Sequence, residues 1–269
     1  RMGIMQLDSE ARIVNFVEKP KDPELQRQMR SDPQTIASFG VNPAGRSHLG
    51  SMGIYVFNKS TLLEMLQETP YTDFGREVIP EAVKTHRTFA FVYDGYWEDI
   101  GTIESYYSTN LHLTDPLPPF DFYREDWPIY THPRYLPGVK VNGGQIERAI
   151  LCEGSVIDRA EIRHSIVGIR QMVNQNSCIR DSLILGADYY ERDCEHDGIM
   201  HWQDCPIPLG IGRNVEIERA IIDKNTRIGD GAKIRSWEGR PDEDGEGFYV
   251  RSGVVIIPRG GVVQPGRVI

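Results

Sequence analysis

The second half of the chain repeats aliphatic residues every six positions, and this repeat limits the fold more than any other feature. An α-helix repeats its faces every 3.6 residues and an alternating strand every two, so neither explains a period of six. A parallel β-helix does, because each short strand turns one aliphatic residue inward and successive coils stack. Four runs carry the repeat: Ile150, Val156 and Ile162; Ile166, Met172, Cys178 and Ile184; Ile211 and Ile217, then after a slip of one Ile222, Ile228 and Ile234; and Val250, Ile256, Val262 and Val268.

The repeat therefore predicts a β-helix over residues 138–269. Two insertions interrupt it, at 188–208 and 236–247. The second insertion contains the acidic run Asp242-Glu243-Asp244, which is predicted to be a solvated loop.

Residues 1–114 have a different pattern, in which β-rich and helix-like segments alternate. Strands are predicted at 12–17, 53–57 and 88–93. Helices are predicted after Ser60 and after Thr102, each of which is a plausible N-cap. Such alternation predicts an α/β domain.

The segment 115–137 joins the two parts and holds six of the 17 prolines together with six aromatic residues. A flexible linker is rich in Gly and Ser and poor in aromatic residues. The composition instead predicts an extended segment that is docked against a neighbour.

The charge balance excludes some classes of partner. The 39 acidic and 30 basic residues give a net charge of −9, which argues against a general nucleic-acid or anionic-membrane surface but does not exclude a local anion site.

No run of 18 apolar residues is present, so no transmembrane helix is predicted. The four cysteines form no CxxC pair and no disulfide framework, which favours a cytoplasmic protein. The opening residues are neither a signal peptide nor a Met start, and they predict a piece of a longer protein.

Two short segments could carry chemistry. In FVEKP, Glu18 could accept hydrogen bonds from sugar hydroxyls and Lys19 could neutralise a phosphate, although a surface ion pair explains the same residues. Pro20 predicts an extended backbone at Lys19. In GYWEDIGT, Asp99 could hold Mg²⁺ beside substrate phosphates, or it could cap the following helix.

A third group of residues could bind zinc. Cys194, His196, His201 and Cys205 lie within twelve residues of one another and are zinc-competent ligands. Their spacing matches no common zinc finger, so the sequence leaves zinc binding open.

The chain as a whole resembles the ADP-glucose pyrophosphorylase (glucose-1-phosphate adenylyltransferase) family, from Arg1 to Ile269. The narrowest matches, LGADYYE and AIIDKN, are similar to the cyanobacterial and plant-like branch. Seven segments carry the resemblance: FVEKP (16–20), SMGIYVF (51–57), DFGREVIP (73–80), GYWEDIGT (95–102), HSIVGIR (164–170), LGADYYE (185–191) and LGIGRNVEIERAIIDKN (209–225).

The resemblance implies a Rossmann-like α/β nucleotidyltransferase domain, here partial and ending near residue 114, followed by a left-handed parallel β-helix. The implied reaction joins ATP and glucose 1-phosphate into ADP-glucose and pyrophosphate, for glycogen or starch synthesis. By resemblance, the glucose 1-phosphate site includes Glu18, Lys19, Gly50 and Ser51, with Lys19 on the sugar phosphate. Asp99 matches a catalytic carboxylate that binds Mg²⁺.

The resemblance also implies regulation and assembly. Arg170 and Lys224 match basic residues of an allosteric anion site, whose effectors are 3-phosphoglycerate or phosphate. Arg259 stands where that branch usually carries lysine, so the charge is kept while the donor geometry differs. The family is tetrameric, and the implied location is the cytoplasm, or the plastid stroma for a plant or alga.

The family's glycine-rich ATP-binding loop is absent from this sequence. We therefore expect the isolated chain to form no ADP-glucose. Two alternatives remain: a non-catalytic regulatory or assembly subunit, and a hexapeptide-repeat acyltransferase, for which His164 would be the candidate base.

Overall fold

The computed structural model describes residues 2–67, 70–191 and 205–269. The chain divides into two compact units, Arg1–Trp97 and Glu98–Ile269. Within the described residues, no helix has the length and apolar character needed to cross a membrane.

The first unit combines a small antiparallel sheet with short helices. Its strands, in the order β2-β1-β3, are β1 (Ile4–Leu7), β2 (Ile13–Val17) and β3 (Leu49–Gly50). Its helices are α1 (Pro23–Gln28), α2 (Pro33–Ser38), α3 (Lys59–Gln67), a π-helical turn (Phe74–Val78) and α4 (Ile79–Thr85). Leu7, Ile13, Phe16 and Ile79 form a buried cluster that holds β1 and β2 on α4.

The sequence-based predictions for this unit are confirmed in part. Strand β2 forms as predicted, but residues 53–57 form no strand, and the segment 88–93 contributes only a single bridge at Phe89. Helix α3 begins at Lys59, so Ser60 lies inside the helix and is not its N-cap. The predicted strand segments are β-rich, yet Val56 and Phe91 are exposed and have no sheet neighbour in the described structure.

The second unit is a parallel β-helix, as the six-residue repeat predicts. Its short strands are β4 (Lys140–Val141), β5 (Gly144–Leu151), β6 (Val156–Ile157), β7 (Ala160–Val167), β8 (Met172–Val173), β9 (Cys178–Arg180), β10 (Leu183–Ile184), β11 (Gly210–Ile211), β12 (Glu216–Glu218), β13 (Ala220–Ile222), β14 (Arg227–Ile228), β15 (Lys233–Ile234), β16 (Glu243–Gly245), β17 (Phe248–Arg251), β18 (Val254–Ile257) and β19 (Val262–Val263). They form a ten-stranded and a six-stranded sheet.

Buried aliphatic residues stack in columns inside these coils. One column pairs Ile162 with Ile179, Ile179 with Ile217 and Ile217 with Ile234. Coils without an insertion take 16 or 17 residues, since Ile146 pairs with Ile162 and Ile162 pairs with Ile179. Both lengths fall short of three sixes, so the inward position moves by one or two residues from coil to coil.

This slip corrects part of the predicted core. Ile162, Ile184, Ile211, Ile217, Ile222, Ile228, Ile234 and Val250 are buried as predicted. Elsewhere the predicted register is one residue early: Val167, Val173 and Ile179 are buried, whereas Ile166, Met172 and Cys178 are only half-buried. Near the end of the chain, Ile257, Val263 and Ile269 are the buried residues, where Ile256, Val262 and Val268 were predicted.

Helix α5 (Ile103–His112) explains why one outward column is also aliphatic. Tyr107 and Leu111 pack against Leu183, Ile221 and Val254 on the outside of the β-helix, with Ile166 and Ile256 at the margin. Leu183 pairs with both Ile166 and Ile221, so these residues form one outward column beneath the helix. Helix α5 thus belongs to the second unit by its contacts, although the sequence places it in the predicted domain 1–114.

The connecting segment and the second insertion differ from their predictions in detail. The aromatic residues of 115–137 are exposed, up to 93% for Tyr130 and Tyr135, so docking of this segment stays a prediction. The acidic run is exposed, but part of it forms β16, which pairs antiparallel with β17. The boundaries 1–114, 115–137 and 138–269 also stay predictions.

The stacked columns predict where a core truncation destabilises the chain most. Ile162→Ala should lower the free energy of unfolding by about 2–5 kcal/mol, since Ile162 is fully buried between coils. Its stacking partner Ile146 is 38% exposed, so Ile146→Ala is the matched control and should cost clearly less. Urea denaturation of both variants measures the difference, and equal losses would contradict the stacking account.

Candidate active site and basic corner

The register of the small sheet brings the predicted sugar-phosphate residues together. Ile4 pairs with Val17 on one side and with Gly50 on the other, so β2 and β3 end beside the start of β1. Glu18 and Ser51, which follow these pairs in the sequence, therefore flank Gly3. The amide of Ser51 donates to the carbonyl of Gly3 at 2.8 Å.

Two glycines make room for the Glu18 carboxylate. A Cβ atom on Gly3 would lie 2.6 Å from Glu18 Oε2, and one on Gly75 would lie 2.8 Å from Glu18 Cδ. Real side chains essentially never approach so closely, so both positions require glycine while Glu18 stays in place. This role of DFGREVIP was not predicted from the sequence, although Gly75, two residues after the N-cap Asp73, was a usable signal.

Lys19 adopts a backbone conformation that the sequence did not predict. Its φ is +45°, whereas the following proline predicts an extended residue. A non-glycine residue in the left-handed region costs about 1–3 kcal/mol, and such residues cluster at functional sites. Lys19 Nζ lies 3.4 Å from Glu18 Oε1, and the Lys19 side chain is 60% exposed. The ion pair is thus present, with an ammonium group that solvent and ligands can reach.

The predicted glucose contacts lie at the end of β3 and directly after it. Ser51 Oγ accepts from the amide of Gly53 at 3.2 Å and lies 3.0 Å from the hydroxyl of Tyr55. Gly50 is exposed and forms the last residue of β3. These contacts hold a polar hydroxyl beside the Gly3 backbone.

Asp99 belongs to the second unit, just before helix α5. Thr102 caps this helix in a reciprocal capping box with Ser105, which confirms the predicted cap and excludes Asp99 from that role. Asp99 Oδ1 instead accepts from the amide of Gly101 at 3.1 Å, and the residue is exposed. A single exposed carboxylate fits Mg²⁺, which commonly takes one or two protein carboxylates together with waters and substrate phosphates.

The predicted zinc ligands fall mostly outside the described residues. Cys194, His196 and His201 lie in the range 192–204, and only Cys205 is described, with a partly buried side chain. In 2–67, 70–191 and 205–269, no three His, Cys, Asp or Glu side chains gather as a metal site.

The three predicted effector residues meet at one edge of the β-helix, which we call the basic corner (Arg170, Asp188, Lys224 and Arg259). Backbone hydrogen bonds stack its coils: Ala187 N donates to Ile169 O, Asn225 N to Gly186 O and Gly260 N to Lys224 O. The stacking brings together side chains that are far apart in the sequence.

Asp188 lies among the basic residues of this corner. Lys224 Nζ donates to Asp188 Oδ1 at 3.0 Å, and Arg259 forms an ion pair with Oδ2. Asn225 holds the same residue at two points, with Nδ2 donating to Oδ2 at 3.0 Å and Oδ1 accepting from the Asp188 amide at 2.8 Å. The hydrogen bond from Lys224 is the main cause that lowers the pKa of Asp188, and Asn225 and the charges of Lys224 and Arg259 add to it.

Arg170 approaches the same segment from the preceding coil. Its Nη1 donates to the Ala187 carbonyl at 3.4 Å, and its guanidinium lies 6.0 Å from the ring centroid of Tyr190. The hydroxyl of Tyr190 donates to the carbonyl of Gly154 at 2.8 Å, which fixes the ring. The basic corner therefore holds three cationic side chains: Lys224 and Arg259 pair with Asp188, and Arg170 contacts the neighbouring Ala187 carbonyl.

His164 has a structural environment in the coils. Its Nδ1 lies 2.5 Å from Asp181 Oδ1, and the Asp181 carbonyl accepts from the hydroxyl of Tyr107 on helix α5 at 2.6 Å. These contacts tie the histidine to the packing of α5.

Comparison with known proteins assigns both parts of the chain to known domain families. Residues 1–116 match the nucleotidyl transferase family, and residues 134–268 match the GLGC left-handed parallel β-helix domain. The fold is thus a nucleotidyltransferase domain followed by a left-handed β-helix.

A curated relative narrows the class. The chain is 41% identical over 273 residues to the glucose-1-phosphate adenylyltransferase small subunit, chloroplastic/amyloplastic, of Triticum aestivum. The alignment covers 99% of this chain and 57% of the length of that relative. The chain belongs to the ADP-glucose pyrophosphorylase family.

The contacts of Asp188 predict its titration. Its lowered pKa means that the folded state gains stability from the ionised carboxylate above the ordinary value of 3.8, and loses it as the pH falls through the lowered pKa. Lys224→Met should raise the pKa of Asp188 more than Arg259→Met does, because the Lys224 hydrogen bond is the larger cause. Carboxyl NMR titration of both variants measures the order, and a larger rise in Arg259→Met would contradict it.

Proposed function

We propose that this chain is part of a glucose-1-phosphate adenylyltransferase, which converts ATP and glucose 1-phosphate into ADP-glucose and pyrophosphate for glycogen or starch synthesis. The observation that carries the proposal is the 41% identity to the wheat small subunit across 99% of the chain. The arrangement of Glu18, Lys19 and Ser51 around Gly3 supports it independently.

Glu18, Lys19, Gly50 and Ser51 bind glucose 1-phosphate in this proposal. The Glu18 carboxylate accepts hydrogen bonds from sugar hydroxyls, and the backbone at Gly50 and the hydroxyl of Ser51 face the same ligand. Lys19 exchanges part of its contact with Glu18 for the sugar phosphate, which it binds as a point charge. Its exposure leaves the ammonium group free to make that exchange.

The proposed reaction is an in-line displacement. A phosphate oxygen of glucose 1-phosphate attacks the α-phosphorus of ATP, and pyrophosphate leaves from the opposite side. No covalent enzyme intermediate is needed, so the protein contributes mainly position and charge. Lys19 orients the attacking phosphate, and Asp99 supplies a metal ligand. Mg²⁺, when bound there, would offset negative charge on the phosphates.

Retention of Glu18, Lys19 and Asp99 favours a catalytic subunit over a purely regulatory one. The wheat relative is named a small subunit, and we propose that this chain likewise assembles with further subunits, as a homo- or hetero-tetramer. The proposed location is the cytoplasm or a plastid stroma. The inactivity of the isolated chain stays a prediction.

The basic corner is proposed to be an allosteric anion site. Arg170, Lys224 and Arg259 would bind a phosphate-bearing effector, such as 3-phosphoglycerate or phosphate itself. Their convergence from separate coils supports this role, because three cations gathered on a chain of net charge −9 create a local attraction for anions.

The sugar-phosphate site is tested by binding, since the isolated chain is expected to lack activity. Lys19→Ala should weaken glucose 1-phosphate binding about tenfold or more, the usual effect of losing a hydrogen bond to a charged group. Lys21→Ala is the matched control, because Lys21 is an exposed lysine just beyond Pro20. Isothermal titration calorimetry measures both, and equal affinities would contradict the role of Lys19.

The anion site is tested with inorganic phosphate. Lys224→Ala and Arg259→Ala should each weaken phosphate binding several-fold, because each removes a cation from the basic corner. Lys140→Ala removes an exposed lysine from β4 and serves as the control. Phosphate affinity that is unchanged in Lys224→Ala and Arg259→Ala would exclude the corner as the binding site.

A further inference from the structure

The basic corner already contains an anion of its own. The Asp188 carboxylate accepts from Lys224 Nζ with one oxygen and pairs with Arg259 through the other. A phosphate that took both cations would have to lie where this carboxylate lies. Two anions at hydrogen-bond distance from the same cations repel each other, so both cannot hold these contacts at once.

Asp188 is held there by more than its ion pairs. Asn225 Oδ1 accepts a hydrogen bond from the Asp188 backbone amide, and Asn225 Nδ2 donates one to the Asp188 carboxylate. Two residues that follow Asp188 are also held in place. The hydroxyl of Tyr190 donates to the Gly154 carbonyl, and Glu191 pairs with Arg227 at 2.7 Å. The carboxylate is thus pre-positioned by neutral contacts. Its release from the two cations is a side-chain rotation that breaks the hydrogen bond from Asn225 Nδ2 and keeps the backbone contact with Asn225 Oδ1.

The ion pairs themselves are weak enough to be exchanged. The side chains of Lys224 and Asp188 are 31% and 34% exposed, and that of Arg259 is 64% exposed. Solvated pairs of this kind contribute little to the stability of the fold. An external anion with more than one negative charge could therefore displace the carboxylate.

We propose that Asp188 is a built-in counter-ion that competes with the anionic effector for Lys224 and Arg259. The inference rests on the proposed anion site and assigns a further function within it. Asp188 sets the concentration at which an anion occupies the corner, and it favours ligands whose charge exceeds that of one carboxylate. When the anion leaves, the carboxylate returns to the two cations.

Asp188→Asn tests the competition directly. The amide retains the size of the side chain and its contact with Asn225 but lacks the charge, so inorganic phosphate should bind about tenfold more tightly than to the wild type. Asp188→Ala should also bind phosphate more tightly. Because alanine removes the Asn225 side-chain contact as well, agreement between the two variants assigns the effect to the charge.

Isothermal titration calorimetry of the chain with phosphate measures these affinities, and circular dichroism confirms that each variant is folded. Glu246→Gln is the matched control, because it removes one negative charge from an exposed residue in the second insertion. Its phosphate affinity should equal that of the wild type. Tightening of the same size in Glu246→Gln would overturn the proposal, since net charge alone would then explain the effect.

Two further outcomes separate this inference from the proposed function. If the wild type binds phosphate, Lys224→Ala weakens the binding and Asp188→Asn leaves it unchanged, the anion site stands and the counter-ion proposal is overturned. If neither the wild type nor Asp188→Asn binds phosphate, the anion site itself is excluded, and the inference falls with it.

Discussion

The inward stacking of aliphatic side chains is the interaction on which the second unit depends. Ile162, Ile179, Ile217 and Ile234 pair coil upon coil, and this column fixes how the backbone returns to the same corner after each turn. Residues at equivalent positions of successive coils are therefore neighbours in space, although they are far apart in the sequence. The basic corner is a direct result: Arg170, Lys224 and Arg259 become neighbours because the core beneath them stacks in register.

The same stacking shows what the sequence could predict and what it could not. A period near six was enough to predict a β-helix, because few other folds produce it. The inward register was harder to predict, because helix α5 covers one outside face and makes its outward column aliphatic as well. Ile166 and Ile256 pack against the cluster that contains Tyr107 and Leu111, outside the β-helix interior. A residue buried inside the coils and a residue buried beneath helix α5 are both apolar. The periodicity of apolar residues therefore cannot show which face of a strand points inward.

The candidate active site was predicted as a set of residues but not as a geometry. Glu18 and Lys19 were selected through the family resemblance that FVEKP helps to carry, because a surface ion pair explains the motif by itself. Nothing in the motif indicates that Gly3 and Gly75 close on the carboxylate from two sides. Local rules also failed at Lys19, where the proline predicts an extended backbone and the structure has a φ of +45°. Both features arise from tertiary contacts, which short-range propensities do not include.

The two candidate sites share one arrangement of charge, in which a carboxylate pairs with the basic residues. In the proposed function, a chain with a net charge of −9 binds anions, so its cations have to be gathered locally. Gathered cations repel one another unless an anion lies beside them. Each candidate site has a carboxylate beside its basic residues: Glu18 pairs with Lys19, and Asp188 pairs with Lys224 and Arg259. In the counter-ion proposal, the Asp188 carboxylate stabilises the corner when no ligand is bound and lowers its affinity for an anion through the same two ion pairs. By the counter-ion proposal, the strength of the Asp188 pairs determines how selective the basic corner is, because a ligand of higher charge exchanges with these partly exposed pairs.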